Sequence, residues 1–235
     1  MPIYKIADRV VKCNPQFNKL KQNIEKYRIS DGQEAYDISL TQTQIDVLHR
    51  EYAGFSDEEI EYFGVGKNFY FHLLDFGGIM LHSSTISFDG KAYMFSADSG
   101  VGKSTHTEQW KKLFGDRIQI INDDKPAIIQ KDGQMLACGT PFSGKTSLNT
   151  NVMIPIGAIC FIEQSKTDEI RRLSPFEAIP MIMNQTNNSK FEKRMDKALD
   201  TVDKLLTSVP IYLLKCTPTV NAAKVAAKEM AGVEI

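Results

Sequence analysis

Residues 91–114 read KAYMFSADSGVGKSTHTEQWKKLF, in which an apolar strand pattern, a glycine-rich loop and a helical pattern follow one another. The loop at residues 97–104, here called loop 1, fits the phosphate-loop pattern G-x-x-x-x-G-K-[ST] except that alanine replaces the first glycine. A phosphate-binding loop needs successive inward-pointing backbone N–H groups and a helix N-terminus that completes the anion site. Trp110 and Phe114 stand at helical spacing and indicate a helix over residues 103–114, so this stretch meets both requirements.

A second stretch, GTPFSGKT at residues 139–146, fits the same pattern without exception and is called loop 2. Loop 2 contains Pro141, which has no N–H to donate, and the following SLNTNVMIP at residues 147–155 is a poor helix former. We therefore predict that loop 1 binds phosphate. Lys145 is interpreted as a second cation that reaches the phosphates or the phosphoryl acceptor from the far side; the alternative is a solvated loop lysine.

Two aspartates end the strand pattern that follows the helix. Residues 117–122, RIQIIN, run directly into Asp123 and Asp124. In phosphate-loop enzymes an acidic residue at the end of the neighbouring strand lies beside the phosphates, where it holds magnesium or orients the attacking group. Two such residues can divide these roles. The alternative is a capped turn, because Lys125 and a proline follow.

The run DSGVGKS at residues 98–104, together with the Asp-Asp pair, resembles the catalytic domain of HPr kinase/phosphorylase and its relatives. That family shares a nucleotide-binding core with ATP-dependent phosphoenolpyruvate carboxykinase. His82 adds to the resemblance, because it lies on the strand before the turn at residues 89–90, where the family also places an active-site histidine. The specific motifs cover roughly residues 79–130.

The resemblance implies an α/β fold with a P-loop nucleotide-binding core and a mixed sheet, and it implies ATP and Mg²⁺ as cofactors. It also implies that Lys103 contacts the phosphates, that Ser104 and Asp124 hold magnesium, and that Asp123 is the acid/base residue. His82 is the partner that orients the aspartates, and we expect its imidazole to hydrogen-bond Asp123 if their strands are neighbours. The other predicted nucleotide contacts are Ser99, Gly100, Val101, Gly102 and Thr105, the last standing where the family usually has glutamate.

The function predicted from these residues is ATP- and magnesium-dependent phosphoryl transfer to a hydroxyl of a peptide, protein or small molecule, with Lys145 neutralising developing charge. The resemblance also implies kinship with kinases that modify precursor peptides. The alternative is a regulatory module that binds ATP without turnover. The second carboxylate favours catalysis, because a pure binder needs only the one on magnesium.

Composition excludes other classes of function. With 28 Lys+Arg against 29 Asp+Glu, the chain has no basic field that would draw it to nucleic acid or to an anionic membrane. The four cysteines stand far apart, which favours free thiols in a reducing cytoplasm, and no apolar stretch has the length of a membrane span. We expect a cytoplasmic protein, and the sequence allows a homo-oligomer.

Changes of sequence period divide the chain into two predicted units. Residues 1–78 are predicted to form a small N-terminal α+β lobe, with strands over residues 3–11 and 36–40 and helices over residues 15–27 and 57–74. Residues 79–235 are predicted to form the catalytic domain. Its predicted strands cover residues 79–88, 91–95, 116–122, 127–130, 135–138, 156–162 and 211–214, and its predicted helices cover residues 103–114, 175–184, 190–208 and 220–231.

Overall fold

A computed structural model describes residues 1–32, 35–186 and 192–234, which form two β-sheets and seven helices. The strands are β1 Ile3–Ile6, β2 Arg9–Lys12, β3 Arg28–Ile29, β4 Tyr36–Asp37, β5 Ile79–Met80, β6 Ser83–Phe88, β7 Lys91–Ser96, β8 Ile118–Asn122, β9 Ala127–Lys131, β10 Gln134–Cys138, β11 Met153–Gln164, β12 Glu169–Arg172 and β13 Ile211–Cys216. The helices are α1 Asn18–Glu25, α2 Gln42–Glu51, α3 Asp57–Leu74, α4 Lys103–Phe114, α5 Pro175–Gln185, α6 Glu192–Ser208 and α7 Val220–Ala231. The expected α/β fold is confirmed.

The N-terminal sheet has the strand order β3-β1-β2-β4. The single strand expected over residues 3–11 is wrong, because β1 and β2 form an antiparallel hairpin. Ala7 and Asp8 make its turn with φ angles of 47° and 61°. Two successive positive φ angles define the tight turn whose twist matches that of the paired strands. Helix α2 was not predicted, although Thr41 and Gln44 form a capping box at its start.

The larger sheet is mixed, as predicted, and β7 lies inside it. Strand β7 pairs with β11 in parallel and with β6 antiparallel, while β13 continues the parallel part beyond β11. Strand β8 pairs with the other edge of β6. Loop 1 and the end of β8 are therefore held on neighbouring parts of one sheet.

The strand expected over residues 79–88 is interrupted at Leu81 and His82, which separate β5 from β6. The interruption occurs because the chain changes neighbours there: β5 pairs with β9, whereas β6 pairs with β7 and β8. The backbone N–H of His82 instead donates to the carbonyl of Gln185, at 2.7 Å. His82 thus lies at a break in the sheet, where its side chain can serve a site.

Apolar side chains from both predicted units share a core. Residues of the N-terminal sheet and of α3 form one buried cluster with Ile129, Leu136 and Phe142, which come from beyond residue 78. Trp110 of α4 is fully buried against Phe88 and Tyr93 in a separate cluster on the large sheet. The division at residue 78 stays a prediction.

The C-terminal part contains the expected helices α5, α6 and α7. Of the helix predicted over residues 190–208, its first two residues lie outside the described part of the chain. Strand β12 was not predicted; it pairs with β13 at the edge of the sheet. Among the described helices, none combines the length and the apolar character needed to cross a membrane.

Candidate functional site

Loop 1 joins β7 to α4, and the helix begins at Lys103 directly after Gly102. Gly100 and Gly102 have φ angles of 84° and 120°, which side chains other than glycine rarely adopt. Gly102 is the N-cap residue and supplies no side chain to cap the helix. The first-turn N–H groups of α4 therefore form the kind of helix end that binds anions.

Lys103 folds back over loop 1. Its Nζ donates to the carbonyl oxygens of Ala97, at 2.9 Å, and Asp98, at 3.3 Å, and the residue is 8% exposed. Burial lowers the pKa of the Lys103 ammonium, against the opposing effect of the nearby carboxylates, Asp124 first among them. Lys103 is thus a buried cation at the start of the loop 1 helix.

The other residues predicted in loop 1 lie at its surface. Ser99, Gly100, Ser104 and Thr105 are exposed, and Val101 and Gly102 are half-buried. Ser104 and Thr105 occupy the first turn of α4 beside Lys103. All the predicted loop contacts are thus brought to one end of the helix.

Asp123 follows β8 and is 7% exposed. Its Oδ1 accepts a 2.6 Å hydrogen bond from Ser84 Oγ on β6. Ser84 Oγ also lies 3.1 Å from Thr107 Oγ1, which donates to the carbonyl of Ser104 in the first turn of α4. This hydrogen-bond chain ties the carboxylate of Asp123 to the start of the loop 1 helix.

Asp124 is the carboxylate that contacts His82. The imidazole Nε2 lies 3.1 Å from Asp124 Oδ1, and Lys125 Nζ lies 2.9 Å from Asp124 Oδ2. Burial acts to raise the pKa of Asp124, but the hydrogen bond from His82 and the Lys125 charge outweigh it and lower that pKa to about 2. Asp124 is therefore ionised at neutral pH.

The expected hydrogen bond between His82 and Asp123 is wrong. Both aspartates lie in the bend after β8, where Asn122 Oδ1 accepts from the N–H groups of Asp124 and Lys125. In this bend Asp123 turns to Ser84 and Asp124 turns to His82. The backbone carbonyl of Asp124 also accepts from the N–H of Ser83, which holds it next to the break in the sheet.

Gln185, at the end of α5, joins the two halves of the site. Its Oε1 lies 2.9 Å from His82 Nδ1, and its Nε2 donates to Asp98 Oδ1 at 2.6 Å. Side chains thus connect loop 1 to Asp124 through Gln185 and His82. Gln185 was not predicted as a site residue, because only the fold brings the end of α5 to this place.

Close packing requires glycine at residues 139 and 144 of loop 2. A Cβ on Gly144 would lie 2.9 Å from the Cβ of Asp124, and a Cβ on Gly139 would lie 1.7 Å from the carbonyl oxygen of Thr150. Phe142 is buried against the rings of Tyr62, Phe69 and Tyr70. The residues after loop 2 are not helical, as predicted. Lys145 is exposed and follows the glycine that touches Asp124.

Two cavities flank loop 1. One, of about 340 Å³, is lined by residues that include Gly100, Gly102, Thr105, His106, Gln164 and Thr217. The other, of about 360 Å³, is lined by residues that include Asp98, Val101 and Gln185. Space for a ligand of moderate size therefore exists on both sides of the helix N-terminus.

Comparisons with known proteins give three results. A structure of the HPr(Ser) kinase/phosphatase from Coxiella burnetii is distantly similar, with a TM-score of 0.40 and 9% sequence identity, over 65% of this chain and 97% of that one. At this distance the similarity does not bear on activity. No curated protein matches the chain in a sequence search.

The third result comes from family models. The model described as "SynChlorMet cassette protein ScmC" matches residues 55–221, from just before α3 to the start of α7 and well over half of the chain. The matched region includes loop 1, loop 2, His82, Gln185 and both aspartates. The chain therefore belongs to the ScmC family.

Proposed function

We propose that this protein is an ATP- and magnesium-dependent phosphotransferase with a P-loop nucleotide-binding core. One observation supports the proposal above all. Helix α4 begins after a glycine with no side-chain cap, and Lys103 and two aspartates with different partners lie near this helix end. A helix end of this kind binds phosphate, and paired carboxylates can divide metal binding from proton transfer.

The residues present fit a nucleotide. The N–H groups of loop 1 and the ammonium of Lys103 would hold the phosphates. The cavity that includes His106 and Gln164 adjoins the same glycines and has room for the nucleoside end. Lys103 is already buried and needs only to exchange its carbonyl partners, Ala97 and Asp98, for phosphate oxygens.

The magnesium ligands would be Ser104 and Asp124. Asp124 suits a cation because the low pKa keeps it ionised, and His82 fixes the direction of its carboxylate. Bound ATP and Mg²⁺ would supply the terminal phosphoryl group and neutralise the charge around it. Gln185 connects His82 to loop 1, so the metal-side carboxylate and the loop are positioned together.

Asp123 would take the proton of the phosphoryl acceptor. Its Oδ1 is held by Ser84, which leaves Oδ2 to approach a hydroxyl. Asp123 accepts that proton as the hydroxyl oxygen bonds to the terminal phosphorus and the bond to ADP breaks. Lys145, exposed beside Gly144, would neutralise negative charge from the far side.

The test is to incubate purified protein with ATP labelled in the terminal phosphate, with Mg²⁺ or with excess EDTA, and to measure nucleotide binding separately by calorimetry. The proposal predicts ATP binding and magnesium-dependent transfer of label to water or to an added hydroxyl compound. Binding without any turnover would indicate the regulatory module instead, and no binding would contradict both.

A further inference from the structure

An aromatic cavity of about 430 Å³ lies between α3 and loop 2, and none of the roles proposed above uses it. Its walls include Tyr52, Phe55, Phe63 and Phe71. The ring centroid of Tyr52 lies 5.2 Å from that of Phe55 and 4.9 Å from that of Phe63. Phe55 is 40% exposed, so part of this aromatic wall faces solvent.

The cavity adjoins the proposed phosphoryl-transfer site. Lys125 and Gly144 line it, and both touch Asp124: Lys125 Nζ lies 2.9 Å from Asp124 Oδ2, and the glycine leaves no room for a Cβ against Asp124. A molecule that places a hydroxyl at the two aspartates therefore has this cavity beside it.

The interior suits an apolar group. The hydroxyl of Tyr62 donates to the carbonyl of Pro141 and accepts from the N–H of Ser143, and the hydroxyl of Tyr70 donates to the carbonyl of Lys125. A polar group of a ligand would lose its hydrogen bonds to water on entering, which is costly. An aromatic side chain would instead pack against the aromatic walls.

The lining charges suit an anion. Lys19, Lys67 and Lys125 line the cavity, and Lys67 is exposed. Among the lining residues of the described chain, Glu59 is the sole carboxylate, and it accepts hydrogen bonds from the N–H and hydroxyl of Ser56 in the capping box of α3. Because Lys125 is paired with Asp124, two lysines remain against the one lining carboxylate, and Lys67 is the exposed one.

We propose that this cavity binds an aromatic side chain of an acceptor peptide, next to the residue that receives phosphate, with an acidic group of the peptide facing Lys67. A peptide segment can offer an apolar side chain for the cavity next to an acidic side chain for the lysine. A sugar or a nucleoside would instead bury polar groups without hydrogen-bond partners. The inference rests on the proposed function, because it places the acceptor at the same aspartates.

The test uses a positional-scanning library of peptides with a fixed central serine and ATP labelled in the terminal phosphate. One flanking position should select Phe, Tyr or Trp over Ala by roughly tenfold or more, the preference expected for burying an aromatic ring. Acidic residues should be preferred at a position beside it. Lys67→Glu should reverse the acidic preference into a basic one, and Phe55→Ala should weaken the aromatic preference. Lys204→Glu changes an exposed lysine of α6 and should leave both preferences intact.

Calorimetric titration with ATP separates the two proposals. If ATP binds but no peptide is labelled, or if labelling shows no aromatic preference, the peptide site is wrong and the nucleotide site stands. An aromatic and acidic preference that survives both cavity variants would place the peptide elsewhere and overturn the inference. Absence of ATP binding would remove the proposed function and this inference together.

Discussion

His82 Nε2 lies 3.1 Å from Asp124 Oδ1, and the neighbouring Asp123 hydrogen-bonds Ser84 instead. The two adjacent carboxylates thus have different partners, and we propose different tasks for them. With its pKa lowered to about 2, Asp124 is suited to a metal ion. In the proposed reaction, Asp123 is the carboxylate that accepts the proton of the phosphoryl acceptor.

Asp123→Asn should retain ATP and magnesium binding and lower phosphoryl transfer by roughly two to four orders of magnitude, because the general base is lost. The measurement is the single-turnover rate with labelled ATP. Asp116→Asn removes an exposed carboxylate outside the site and should leave the rate unchanged. Transfer by Asp123→Asn at nearly the wild-type rate would show that the base is another group.

His82→Ala should weaken magnesium binding by roughly 10- to 100-fold, because the residue orients a ligand carboxylate. Gln185→Met should act in the same direction with a smaller effect, since it holds His82 from its other ring nitrogen. The dependence of the rate on Mg²⁺ concentration measures both. The role of His82 is wrong if its removal lowers the rate equally at limiting and at saturating magnesium.

His106 should make folding stability depend on pH. Burial lowers the pKa of its imidazole to about 4, so the native state binds this proton less readily than the unfolded state. Stability from this residue is fully present above pH 6.5 and is lost as the pH falls toward 4. Between pH 7 and pH 5 the loss should be about 2 kcal/mol.

In the wild type, Trp110 Nε1 donates to His106 Nε2 at 3.1 Å. His106→Gln should remove that part of the pH dependence of stability while keeping an acceptor for the Trp110 N–H. Free energies of unfolding from urea titrations at pH 5 and pH 7 make the comparison. His49→Gln is the control for removing a partly exposed histidine. Equal pH dependence in wild type and His106→Gln would contradict the assignment.

Some elements that a short stretch of sequence determines were predicted correctly. The helix over residues 103–114 has the predicted bounds, because glycines, a lysine and periodic aromatic residues all lie within one short stretch. The hairpin at Ala7 and Asp8 was missed because the apolar residues on both sides read as one strand and alanine rarely adopts a positive φ.

The candidate site was harder to predict because its contacts are distant in sequence. His82 and Asp124 could be named, but which aspartate faces the imidazole depends on the break between β5 and β6. Gln185 reaches the site only through the packing of α5. Loop 2 matches a phosphate-loop pattern because Gly144 must pack against Asp124, a reason that only the fold reveals.

Whether loop 1 holds ATP is tested by calorimetric titration of an ATP analogue with Mg²⁺ into Lys103→Ala and Lys145→Ala. Both variants are first shown to unfold cooperatively. Lys103→Ala should weaken binding by roughly 100-fold or more, the loss expected for two charge-assisted hydrogen bonds, whereas Lys145→Ala should bind nearly as wild type. Intact binding by Lys103→Ala together with lost binding by Lys145→Ala would place the phosphates at loop 2 and contradict the account.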